Sequence, residues 1–184
     1  IRNVIYLWLE LKEMKSQSGV IVFCLLSMLV APFTWAQEKA ADVSGKKANA
    51  SIILTVEGKQ ATVDFTLAQL LALPQKTVIT TTPWTEGSHT YTGVLLRDLL
   101  DKQGLQQVSK LNAKALNDYV TTITVTDAYK YDVLLALTQD GKLLTRRNKG
   151  PVWVIYPLSQ YPELDKPSYH SAMIWQLRAI SVSN

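Results

Sequence analysis

From Ser51 onward the chain is cut into short β-type runs by turn and loop residues, and this limits it to a fold with many short strands. Ser51 to Glu57 alternates apolar and polar residues. Gly58-Lys59 then turns it into a second run ending at Phe65, which predicts a hairpin. Thr66-Leu67-Ala68-Gln69 has the spacing of a capping box and opens a short helix through Leu73, stopped by Pro74. Thr77 to Thr82 is β-branched and gives way at Pro83 to a polar loop, Trp84 to Thr90. Val94 to Gln103 places Val94, Leu95, Leu99 and Leu100 on one face and charged residues on the other, with Gly104 as a stop, and predicts an amphipathic helix.

The remainder is almost wholly strand-like. Lys114–Leu116, Tyr119–Thr126, Val133–Thr138, Leu143–Thr145, Val152–Tyr156 and Trp175–Val182 read as β, with Asp140-Gly141 as a tight turn. About eight strands unevenly interleaved with two or three short helices predict an α+β fold with mixed β-sheets.

Upstream of Ser51 the composition changes. Met14-Lys15 supplies a short basic segment, and Val20 to Val30 is a mostly apolar run of 11 residues, against roughly 20 needed to span a bilayer. Thr34-Trp35-Ala36 places small residues at the two positions a signal peptidase reads, so residues 14–36 are expected to be a cleavable leader with cleavage before Gln37. Residues 1–13 are read as an upstream extension, 37–50 as a polar linker and 51–184 as one domain. The expected location is the periplasm. Cys24 is the single cysteine and falls in the leader, which leaves the domain without a disulfide, a thiol nucleophile or a cysteine ligand for a metal.

Charge does not point to nucleic acid or to a membrane. The formal net charge of +4 is spread along the chain, and Arg146-Arg147-Asn148-Lys149 is its one cluster. His89 and His170 each neighbour a serine, but no G-x-S-x-G elbow accompanies them, and they read as surface or loop histidines. Their spacing matches no metal site. Aromatic residues and amides are better supplied on the predicted loops. Trp84 and Tyr91 flank one loop, Asn117-Asp118-Tyr119 joins two strands, and the basic cluster precedes Trp153. Aromatic faces and side-chain donors on a β scaffold suit a flat polar heterocycle, although Trp153 and Trp175 lie in strand patterns and read as core.

Five pieces in order carry a resemblance to a known family. They are Leu54-Thr55-Val56-Glu57-Gly58, Tyr91 through Leu100, Ala115 through Tyr119, Arg147 through Pro157, and Ile174-Trp175-Gln176-Leu177. Together they resemble the oxidoreductase molybdopterin-binding domain, the sulfite-oxidase-type fold. The resemblance implies a mixed α+β fold and a pterin ligand, either molybdopterin or a simple pterin. In that family's enzymes, the strand before the Gly-Val-Leu-Leu-Arg segment ends in a cysteine that ligates molybdenum. Here the stretch reads Thr80-Thr81-Thr82-Pro83-Trp84-Thr85. The chain is therefore similar to a small exported branch without that ligand, which implies a non-catalytic pterin-binding protein. The branch is associated with periplasmic domains of membrane signalling proteins such as diguanylate cyclases. Alternatives are a molybdenum-cofactor oxidoreductase subunit or an adaptor with a vestigial pocket. The residues expected at the pterin are Thr82, Trp84, Asn117, Asp118, Tyr119, Arg147 and Trp153, with Asp118 accepting from the amide–amidine edge.

Overall fold

Residues 51–59 and 61–183 are described by the computed structural model. The expected extension, leader and linker lie outside the described residues.

The first hairpin forms as its alternation predicts. β1 (Ile52–Glu57) buries Leu54 and Val56 completely, and β2 (Thr62–Thr66) runs antiparallel to it. Thr66 then caps α1 (Leu67–Leu71): its Oγ1 accepts from the Gln69 N–H, and Gln69 Oε1 accepts from the Thr66 N–H at 2.8 Å.

β3 (Lys76–Thr80) pairs antiparallel with β4 (His89–Leu95), and β4 leads directly into α2 (Leu96–Lys102). This corrects the sequence reading, which gave Val94 and Leu95 to the helix. Both belong to β4, where they pair with Leu135 and Leu134. Gly93, Val94 and Leu95 are buried in succession at the end of β4, so no alternation marks them as strand.

β5 (Lys110–Ala115) and β6 (Val120–Thr124) form a second hairpin, followed by α3 (Val125–Lys130). β7 (Leu134–Gln139) turns at Asp140-Gly141 into β8 (Lys142–Leu143). A 3₁₀ turn at Arg146–Asn148 leads to β9 (Trp153–Ile155). A further 3₁₀ turn at Pro162–Leu164 precedes α4 (Pro167–Ala172) and the last strand, β10 (Leu177–Val182). Neither α3 nor α4 is legible in the sequence, because each is a turn and a half long and too short for a 3.6-residue period to show.

The fold class is the expected one, α+β with mixed sheets. One sheet has the order β2-β1-β10-β5-β6, and β1 lies parallel to β10 while its other pairs are antiparallel. The second has the order β3-β4-β7-β8, with β9 also paired to β7. The core is filled from both, by residues such as Leu54, Leu111 and Ile123 of the first and Tyr91, Leu135 and Trp153 of the second. Among the described residues, no helix is long and apolar enough to cross a membrane.

Candidate functional site

Three connections between strands converge on a cavity of about 220 Å³. The link from β3 to β4 brings Trp84, and the turn from β5 to β6 brings Asn117 and Tyr119. α4 and the link to β10 bring His170, Ser171, Met173, Ile174 and Trp175. Its volume equals about seven waters at roughly 30 Å³ each, room for a flat bicyclic ring but not for a drug-sized ligand.

Trp84 is the centre of the aromatic wall. Its ring lies 5.1 Å from Trp175 at 89°, and 6.4 Å from His170 at 72°, both edge-on arrangements that aromatic quadrupoles favour. It also packs at 6.4 Å on Trp153, which is fully buried, rests edge-on against Tyr91 at 5.4 Å and donates Nε1–H to the Met173 carbonyl at 3.0 Å. Trp84 itself keeps 38% of its surface exposed. This partly exposed indole, fixed on a buried one, presents an aromatic surface to the cavity.

The connection that carries Trp84 is tied down by hydroxyls. Thr82 is buried, its Oγ1 lies 2.8 Å from Thr85 Oγ1, and it accepts from the Trp84 N–H at 3.3 Å. At the start of β4, His89 Nδ1 lies 2.7 Å from Asp140 Oδ2 and Nε2 lies 3.0 Å from the Glu86 carbonyl. Beneath the loop, the Tyr91 hydroxyl is buried with no hydrogen-bond partner among the described residues, and the Thr85 and Thr82 hydroxyls lie beside it. Burial pushes its phenol pKa up.

The structure brings together only some of the residues singled out in the sequence. Trp84, Asn117 and Tyr119 line the cavity. Thr82 and Trp153 stand behind it, holding Trp84 in place. Asp118 does not line it: its backbone is left-handed (φ 64°) and its carboxylate lies 2.8 Å from Lys114 Nζ, in solvent. The hydrogen bond from Lys114 and its positive charge hold the Asp118 carboxyl below its ordinary value. Arg147 lies in a different, polar cleft of about 370 Å³ that it shares with Lys142, Asn148 and Lys149. Lys149 Nζ in turn sits 5.1 Å over the Trp153 ring.

His170 and Trp175 join the cavity without having been singled out for it. The sequence reading made His170 a surface residue and Trp175 a core one. Both are half-buried on the cavity wall, because α4 delivers His170 and the link after it delivers Trp175. Without α4 in view, no spacing in the sequence connects them to Trp84.

The model of the "Oxidoreductase molybdopterin binding domain" family matches residues 41–160, well over half of the chain. The chain belongs to that family. Among solved structures, the sulfane dehydrogenase SoxCD from Paracoccus pantotrophus matches with a TM-score of 0.53 at 20% identity. The match covers 70% of this chain and 37% of the dehydrogenase chain, so it is a likeness of fold over part of that enzyme. No curated protein matches.

Membership in the molybdopterin-binding family raises the question of fit at the end of β3. Thr80 is fully buried and accepts from the Ser159 N–H at 3.0 Å, and Ser159 Oγ accepts from the Thr81 N–H at 3.0 Å. These are neutral hydroxyls already engaged with one another, and a neutral hydroxyl does not replace an anionic thiolate as a metal ligand. Among the described residues, no three His, Cys, Asp or Glu side chains converge. The donor set does not fit a molybdenum held by the protein. The aromatic cavity offers the stacking faces that a flat ring takes.

Proposed function

We propose that this protein is a non-catalytic pterin-binding module of the molybdopterin-binding domain family, exported by its leader and acting on a membrane signalling protein from the periplasmic side. The observation that carries the reading is the pairing of two features. A half-exposed Trp84 is held over an aromatic cavity, and the end of β3, where the family's enzymes are expected to place a cysteine, holds only hydroxyls. The cavity supplies stacking faces and a small number of polar side chains, a combination that suits a flat heterocycle.

Calorimetry with a panel of oxidised and reduced pterins tests binding, and tryptophan quenching reports the site. Saturable binding of one pterin per protein is expected, and a panel that gives neither heat nor quenching overturns the reading. Family membership equally favours a second reading, an oxidoreductase subunit holding the molybdenum cofactor through its pterin alone. Elemental analysis of protein produced in a cofactor-competent host separates the two, because stoichiometric molybdenum contradicts the non-catalytic reading. Export is tested by N-terminal sequencing of protein from the periplasm, where a first residue of Gln37 is expected.

A further inference from the structure

The cavity wall formed by α4 carries hydrogen-bonding capacity that the indoles lack. His170 Nε2 lies 2.7 Å from Asp165 Oδ1. An ionised carboxylate only accepts, so in the neutral imidazole the proton is held on Nε2 and Nδ1 is left as an acceptor. Nδ1 has no partner among the described residues. The cavity's other polar side chains are partly used. Tyr119 Oη donates to the Ser171 carbonyl at 3.3 Å, and Ser171 Oγ donates to the Pro167 carbonyl at 2.8 Å. Asn117 Oδ1 accepts from the Tyr119 N–H at 3.2 Å, which leaves its amide NH₂ to donate.

His170 on α4 thus keeps an acceptor without a partner among the described residues, Asn117 on the turn from β5 to β6 keeps a donor, and both residues line the cavity. An acceptor and a donor are the two groups that a ring N–H beside a ring carbonyl, the lactam edge of a pteridine, would take. We propose that His170 is the specificity-determining residue of this site, its Nδ1 accepting the ring N–H next to the carbonyl, with Asp165 as the positioning residue that fixes the tautomer. The inference rests on the pterin-binding reading and deepens it. His170 and Asp165 both lie beyond the stretch that the family model matches, so this reader of the ligand edge is a feature of this chain's C-terminal segment. Asp165 is largely exposed, with 67% of its side chain in solvent, so its hydrogen bond to His170 contributes little to stability, and its effect is on the orientation and tautomer of the ring.

The test compares pterin with pterin methylated at the ring nitrogen beside the carbonyl, by calorimetry on the full-length protein and three variants. Wild type is expected to prefer the unmethylated ligand by roughly tenfold, the scale of one hydrogen bond to a desolvated group. His170→Leu removes the acceptor and brings that preference close to unity. His170→Asn, whose amide oxygen sits near the Nδ1 position, retains most of it. Asp165→Ala lets the tautomers redistribute and loses part of the preference without touching the ligand. Ligand-free melting temperatures that match wild type show that the losses belong to the site. Wild-type preference persisting in His170→Leu, or a His170→Asn as indifferent as His170→Leu, overturns the assignment while leaving pterin binding intact. Failure of both ligands to bind wild type removes the function itself and this inference with it.

Discussion

Asp118 and Tyr91 show how differently two polar residues near one site behave. Asp118 occupies a left-handed position that Asn adopts as easily, and its carboxylate meets only Lys114 at the surface. Asp118→Asn is expected to leave both the melting temperature and pterin affinity close to wild type, as melting curves and calorimetry would show. A marked loss of affinity would return Asp118 to the site. Tyr91 is the opposite case, fully buried with a hydroxyl that has no hydrogen-bond partner among the described residues. Tyr91→Phe removes this desolvated hydroxyl, and chemical denaturation should find it neutral or more stable by about 1 kcal/mol. The residues legible at this scale, Trp84, Asn117 and Tyr119, share one trait. Each is a bulky aromatic or an amide in or at the edge of a predicted loop, Tyr119 at the start of the predicted strand Tyr119–Thr126, which in the structure begins at Val120. Asp118 shares the loop but not the cavity, because a left-handed backbone turns its side chain away from that of its neighbours.

At the scale of elements, the link from β3 to β4 is what places Trp84, and its anchors are polar. Asp140 accepts from the Thr90 N–H at 3.0 Å and faces His89 at 2.7 Å, fastening the start of β4 to the turn between β7 and β8. The Thr90 N–H first, and then His89, hold the Asp140 carboxyl below its ordinary value. A carboxyl whose folded pKa is depressed stabilises the fold above its unfolded pKa, and the contribution is lost as pH falls through the folded one. The anchor is therefore complete at neutral pH and is lost in acid. Asp140→Asn should flatten the acid limb of a stability–pH profile while leaving its neutral part less stable throughout. Thr82→Val keeps the volume but breaks the hydroxyl pair with Thr85, and should weaken pterin binding several-fold by loosening Trp84. Gly93 is the backbone counterpart. A Cβ there would run into the Leu135 carbonyl of β7, so Gly93→Ala should fail to fold or should melt far below wild type in a thermal scan. These contacts explain why β4 was hard to read. Its last three residues are all buried, and it runs into α2 with no side-chain cap to mark the boundary.

At the scale of the whole molecule, the two sheets supply a rigid frame and the connections between strands supply the site. The alternating and β-branched runs disclosed the frame, because strand burial leaves a trace in every second residue. The cavity was half disclosed, since α4 is short and its contribution depends on packing distant in sequence. Arg147 likewise stands where a local motif promised a ligand contact, yet the 3₁₀ turn carries it to the basic cleft. The two clefts make competing claims on a bound pterin, and both approach Trp153, through Trp84 in one and Lys149 in the other. A crystal structure of the protein with bound pterin decides between them. The account predicts ring density beside Trp84 and Trp175, with the lactam edge toward His170 and Asn117. Density beside Arg147 and Lys149 instead, with the aromatic cavity closed, would contradict it.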